Sequence, residues 1–204
     1  MDTIGKVVYI NLDKRTDRRA QIEEELTRWG LNAERFAAYE VPGYGLVGCA
    51  RSHCEVLRQA IEEGVSSLLV IEDDVRFFGT RADADVRLRA ALDAHPDYDV
   101  LMLDYVLQRS DPPEQGVGRV LEGSTTGMYL VRGAYLPTLY QNFLESYNHL
   151  LVAPHIHWVY SCDQYWKRLQ PQGKWFYLSP RFGAQRPGYS DICNGHVEHN
   201  YASQ

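Results

Sequence analysis

The sequence predicts one α/β domain over residues 1–204, built on a mostly parallel mixed central sheet. Three observations lead there. Short β-branched, apolar runs alternate with segments whose apolar residues recur at helical spacing. No linker, repeat or shift of composition divides the chain. At 45% hydrophobic and 24% charged residues, 204 residues suffice for one real core, which excludes a disordered tail, a coiled coil and a collagen-like chain.

The elements follow in order. Val7–Leu12 is a buried strand. Thr16 or Asp17 caps the next helix, where Ile22, Leu26 and Trp29 share a face and Gly30 ends the run. Arg35–Tyr39 is a short strand, and the chain then breaks at Pro42-Gly43-Tyr44-Gly45. From Gly48 a second helix carries Ala50, Cys54, Leu57 and Ile61 on one stripe and closes at Gly64. Ser67–Ile71 is a strand running straight into Glu72-Asp73-Asp74. A weaker helix over 84–94 precedes the strand Tyr98–Leu103. Residues 105–124, polar and carrying Pro112, Pro113 and several glycines, read as a long surface loop. Thr126–Val131 is a strand, and Leu136, Leu139, Tyr140, Phe143 and Tyr147 form a helical stripe. A short helix starts near Asp163, and Trp175–Leu178 is the last strand. Residues 179–204 show little periodicity and read as a tail or lid.

Charge narrows the partners. A net charge of −6 argues against bulk nucleic-acid binding. Lysine occurs only at Lys6, Lys14, Lys167 and Lys174; the other fixed cations are arginines, whose planar fork suits phosphate and carboxylate. The N-terminus lacks a signal-peptide pattern and no apolar stretch reaches membrane-span length. Cys49, Cys54, Cys162 and Cys193 form no CxxC pair, so reduced thiols and a cytoplasmic location are expected, with at most peripheral membrane contact.

The strongest local signal is Glu72-Asp73-Asp74 after an apolar strand. Three carboxylates with no intervening cation repel one another, and a divalent cation relieves that conflict. Strand alternation puts Glu72 and Asp74 on one side and Asp73 on the other. An all-oxygen set suits Mn²⁺ or Mg²⁺; the alternative is a solvated acidic turn. The Asn11–Arg19 segment follows the first strand. Asn11 or Asp13 suits a base or ribose and Arg15 or Arg18 a phosphate, unless this is only a solvated helix start. Ser52 and His53, near the start of the second helix, could face a ligand or simply pack. Cys49 has no clear base partner and is a poor nucleophile.

Together VVYINLDKRTDRR, ERFAAYE, GCARSH, LLVIEDDV, TTGMYLVRGAYLPTL, DQYW, Gln185 and Ser190-Asp191-Ile192 resemble glycosyltransferase family 25, in order and approximate spacing over most of residues 5–192. The resemblance implies a GT-A fold, a Rossmann-like sandwich that binds a nucleotide-sugar, usually UDP-galactose or UDP-glucose. Glu72-Asp73-Asp74 then stands for the metal-holding motif, with Asp74 the direct ligand and Glu72 near ribose or metal water. Asn11 and Arg15 match the strand-end motif beside uridine. Asp191, His196 and His199 are the candidates for a further metal ligand.

The implied reaction is inverting hexose transfer to an acceptor hydroxyl of a glycan, a lipid-linked sugar or a protein, using one carboxylate base. Asp163, beside Gln164-Tyr165-Trp166, is the first candidate and Asp104 the second; Asp163 is equally well placed to cap its helix. Residues 105–124 would border the acceptor, and Gly43–Gly48 or the tail would close over UDP. A nucleotide-sugar-binding module without transfer and a metal-dependent phosphohydrolase are the alternatives.

Overall fold

The computed structural model describes residue 1, residues 4–192 and residues 195–198. Eighteen strands and α-helices follow one another: β1 (Lys6–Asn11), α1 (Thr16–Arg28), β2 (Glu34–Ala37), α2 (Gly45–Glu62), β3 (Ser67–Glu72), β4 (Val75–Phe77), α3 (Arg81–Ala94), β5 (Val100–Met102), β6 (Val106–Ser110), β7 (Val117–Ser124), β8 (Met128–Arg132), α4 (Leu136–Val152), α5 (His157–Tyr160), α6 (Cys162–Tyr165), β9 (Trp175–Leu178), β10 (Gly183–Gln185), β11 (Gly188–Ser190) and β12 (Gly195–Val197).

Eight strands form the central sheet in the order β2-β1-β3-β8-β5-β9-β7-β6. The α/β class and the mixed sheet agree with the sequence. The parallel share is smaller than alternation suggests. β1–β2, β1–β3 and β5–β9 are parallel, while β3–β8, β5–β8, β7–β9 and β6–β7 are antiparallel. β8 runs against both its neighbours, so the sheet divides at β3–β8 into a parallel N-terminal part and a mixed C-terminal part.

Alternation along the strands separates two apolar layers. Val8, Leu68, Val70 and Tyr129 face α2 and α4, with Leu57, Leu139 and Phe143 in the same cluster. Tyr9, Leu69, Ile71 and Leu130 face the other way, with Ile22 and Leu26 of α1 and Leu88 of α3. Near-complete burial of β3, from 0% exposure at Leu68 to 0% at Ile71, is why it reads as a continuous apolar run.

Several local expectations are corrected. Residues 105–124 are not a loop but the β6–β7 hairpin, turning at Gln115 and Gly116 with φ of +50° and +84°. Its register slips between Leu107 and Ser110, and β6 is an exposed, polar sheet edge, which is why its composition resembles a loop. α2 begins at Gly45 rather than Gly48, so Ser52 and His53 lie beyond its first turn. α1 starts at Thr16 behind Arg15, and no side chain caps it. β4 was not legible; among the described residues it pairs only with β10, from a segment without periodicity.

Candidate functional site

The carboxyl ends of β1 and β3 lie side by side because the register pairs Ile10 with Glu72. Ligands of open α/β sheets bind at such ends. Here a cleft opens between the Asn11–Arg18 segment, the start of α2, the Glu72–Asp74 turn, and Gln185 to Ile192 of the C-terminal segment.

The acidic turn forms its floor. The strand stops at Glu72, so Asp73 and Asp74 belong to a turn and the expected alternation does not reach them. Arg18 Nη1 lies 3.1 Å from Asp73 Oδ1 and 3.0 Å from Asp74 Oδ2. A guanidinium from α1 therefore meets two carboxylates that the sequence shows without a cation. Asn11, 1% exposed, donates from Nδ2 to Asp73 Oδ2 at 2.7 Å and to the Arg15 carbonyl at 3.1 Å. It accepts from Arg35 Nε at 3.1 Å, so its role in this state is to fix the turn. Asp13 points away, exposed and paired with Arg35 at 2.6 Å.

Glu72 faces the α2 side. Its Oε1 accepts from Thr126 Oγ1 at 2.6 Å and lies 3.2 Å from His53 Nε2. Its Oε2 accepts from Gln185 Nε2 at 2.9 Å. Burial works against the charge, but His53, Thr126 and Gln185 together outweigh it and hold the carboxyl below its ordinary range. Asp74 goes the other way. Burial and then the negative charge of Glu72 push it up to about 8 against the opposing Arg18. Its Oδ1 is buried and has no hydrogen-bond partner among the described residues.

Asp104 lies deeper, at the end of β5, with 0% exposure. Neither carboxylate oxygen has a hydrogen-bond partner among the described residues, and Arg181 Nη1 stands 3.7 Å away. Burial pushes its carboxyl up to about 7, Arg181 opposing and Glu72 adding to the shift. Gly127 covers it: a Cβ there would lie 2.3 Å from Asp104 Oδ2. Asp104 is therefore sealed from the cleft.

Asp163 is half-buried in α6. Its Oδ1 accepts from Ser161 Oγ at 2.9 Å, and its Oδ2 from the Thr125 amide at 3.3 Å. Thr125 has φ of +77°, a strained conformation for a β-branched residue. Its hydroxyl stands 3.3 Å from Gln185 Oε1, linking Asp163 through Gln185 to Glu72. Ser52 is fully buried, donating to the Gly48 carbonyl and accepting from the Tyr39 amide.

The C-terminal segment clasps the cleft. Arg15 Nη1 donates to Asp191 Oδ2 at 2.5 Å and to the Tyr189 carbonyl at 3.3 Å, while its other nitrogens bind Asp17. Arg18 Nη2 donates to the same Tyr189 carbonyl at 2.8 Å, and Lys14 pairs with Asp191 at 3.0 Å. The segment then passes so close to α2 that a Cβ on Gly45 would lie 2.6 Å from the Asp191 carbonyl oxygen. His196, on β12, is exposed and pairs in register with Tyr189. His199 lies outside the described residues.

Sequence reasoning thus assembled Asn11, Arg15, Arg18, His53, Glu72, Asp73, Asp74 and Asp191 around one cleft. It missed the roles of Thr126 and Gln185, which both donate to Glu72. Gln185 was legible only as part of a resemblance, because a single amide in an aperiodic segment carries no chemical signal of its own.

Comparison with known proteins agrees with this architecture. No family model matches the chain. It is 27% identical over 144 residues to procollagen galactosyltransferase 2 of Mus musculus, covering 57% of this chain and 23% of that protein. With a glycosyltransferase 25 family member of Anopheles gambiae it shares 26% over 117 residues, covering 40% and 20%. The matched segment thus spans about a fifth to a quarter of these relatives' length. In structure the chain is similar to a glycosyltransferase involved in the glycosylation of the major capsid of PBCV-1. That match has a TM-score of 0.58 at 13% identity and covers 91% and 93% of the two chains. The chain is a distant homologue of the glycosyltransferase 25 family and the procollagen galactosyltransferases, with the fold of a GT-A-like glycosyltransferase.

Proposed function

From that distant homology as premise, we propose that the chain is a metal-dependent, inverting glycosyltransferase that moves a hexose from a UDP-sugar to an acceptor hydroxyl. The observation that carries the metal requirement is Asp74 Oδ1, buried without a partner beside Glu72, Asp73 and Asp104. A hard, oxygen-only donor set with excess negative charge fits Mn²⁺ or Mg²⁺. Asp74 would hold the ion, with Glu72 beside it; when bound, it would neutralise charge on the diphosphate leaving group.

The chain's own residues supply the rest. Asn11 fixes the turn that carries the carboxylates. Arg15 and Arg18 offer guanidinium forks at the helix start, where a diphosphate can exchange for the Tyr189 and Asp191 oxygens. Asp163 is the proposed base, since Asp104 is sealed behind Gly127. The acceptor is a glycan, a lipid-linked sugar or a protein hydroxyl. No helix among the described residues is long and apolar enough to cross a membrane.

A panel of UDP-sugars read by thermal shift in Mn²⁺ tests the proposal. One UDP-hexose is expected to stabilise the chain, EDTA to remove the effect, and prolonged incubation to release intact UDP. Release of inorganic phosphate would favour the phosphohydrolase alternative. Stabilisation without any turnover would favour a binding module.

A further inference from the structure

The cleft contains a second donor cluster whose chemistry differs from the acidic turn. Cys49 and His53 are four residues apart on α2 and therefore share one face of it. Cys49 Sγ, a ring nitrogen of His53 and a carboxylate oxygen of Glu72 all lie within 4.8 Å of one another. Tetrahedral zinc bonds of about 2.0–2.3 Å place neighbouring donors roughly 3.3–3.8 Å apart. Small side-chain rotations therefore close the three groups around one ion.

His53 is already aimed. Its Nδ1 lies 2.9 Å from the Tyr129 hydroxyl, and its ring stacks on Tyr129 at 5.8 Å and meets the Phe143 edge at 5.9 Å. In the metal-free chain Nε2–H donates to Glu72 Oε1, 3.2 Å away, and Nδ1 accepts from the Tyr129 hydroxyl; in the other tautomer Nδ1–H donates to Tyr129 and Nε2 presents its lone pair on the Glu72 side. A metal cation can take the place of that Nε2 proton between imidazole and carboxylate, the change of tautomer leaving Nδ1–H to Tyr129. A polar partner on the far ring nitrogen is the usual support of a metal-bound histidine. Burial first, then nearby Glu72, keep the Cys49 thiol protonated in the metal-free chain. A dication favours the thiolate instead.

The mixed donor set selects the metal. Mn²⁺ and Mg²⁺ prefer oxygen, whereas thiolate, imidazole and carboxylate together suit Zn²⁺. Three protein donors leave the fourth position open to the cleft. We propose that Cys49, His53 and Glu72 form a Zn²⁺ site on the cleft floor, distinct in chemistry from the oxygen site at Asp74. Because Glu72 belongs to both surroundings, Zn²⁺ withdraws it from the acidic turn and obstructs the cleft. This inhibitory consequence, unlike the site itself, rests on the transferase function proposed above.

The test uses the full chain, stripped of metal and without nucleotide. Titration with Co²⁺ is expected to give a thiolate-to-metal charge-transfer absorption that saturates at one equivalent and disappears when Zn²⁺ is added. Cys49→Ala is expected to lose that absorption and to weaken Zn²⁺ binding, measured against a chromophoric chelator, by more than ~100-fold. Tyr129→Phe, which removes only the supporting hydroxyl, is expected to weaken it ~10–100-fold. Cys54→Ala is expected to keep the absorption. If circular dichroism shows that Cys49→Ala does not fold, Cys49→Ser keeps the volume and carries the same expectation. A Co²⁺ spectrum lacking the thiolate band, or unchanged Zn²⁺ affinity in a folded Cys49 variant, overturns the site. UDP binding in Mn²⁺ that is unaffected by Zn²⁺ overturns the inhibitory role. A thiolate band in a chain without Mn²⁺-dependent UDP binding leaves this site standing and removes the transferase reading.

Discussion

On the Arg15–Arg18 side of the cleft, guanidinium nitrogens meet Asp17, Asp73, Asp74, Asp191 and the Tyr189 carbonyl. On the acidic side, Asp74 Oδ1 and, behind it, both oxygens of Asp104 are buried without a hydrogen-bond partner among the described residues. The two sides thus differ in satisfaction as well as in sign. A buried acceptor without a partner is unfavourable by roughly 1–3 kcal/mol, and more if charged. Arg18 brings one positive charge to the three carboxylates of the turn and reaches Asp74 through Oδ2, leaving Oδ1 without a partner among the described residues.

The largest test of that contrast is Asp74→Ala. Calorimetry is expected to show Mn²⁺-dependent UDP binding abolished; binding that is the same with and without EDTA in the parent chain would break the comparison at its acidic side. Next, Asp163→Asn is expected to keep UDP binding while transfer falls by more than ~100-fold, the scale of a general base. Near-parental transfer by this variant would remove Asp163 from the mechanism. Arg18→Gln then probes the satisfied side. Losing a charge-assisted contact of about 1.5–3 kcal/mol corresponds to UDP binding weakened roughly 10–100-fold. Unchanged affinity would assign Arg18 solely to holding Asp73, Asp74 and the tail.

The smallest effect concerns pH. Asp104 is pushed up to about 7 by burial, so between pH 6 and 8 the folded chain binds more protons here than the unfolded one. Stability from this group is present at low pH and is lost as pH rises through 7, by about 1 kcal/mol across that window. Asp104→Asn is expected to flatten the pH dependence of thermal melting by that amount. An equally steep variant would show that Asp104 is already ionised in the fold.

Legibility in the sequence tracked burial and periodicity. β1 and β3 were readable as continuous apolar runs, and the apolar faces of α1 and α4 because a helix repeats its apolar residues at a fixed period. The Glu72–Asp74 turn was readable because like charges side by side demand a reason. The β6–β7 hairpin was not, because a twisted, solvated edge has polar residues where a central strand has apolar ones. Arg18 reaching the acidic turn was hidden because it joins positions 55 residues apart, which no local pattern encodes. The bond from Gln185 to Glu72 was hidden for the same reason, at a separation of 113 residues.

The Tyr189–Asp191 clasp has a consequence for how tightly any phosphate can be held. On the proposed function, an anion arriving at Arg15 and Arg18 would replace a carbonyl and a carboxylate tethered to the same chain. Those tethered groups sit at a high effective concentration and return at once when the anion loosens. The affinity for such an anion would therefore be a difference between two sets of contacts. Under the proposed function, that intramolecular competitor would assist departure of the spent diphosphate and favour turnover over retention.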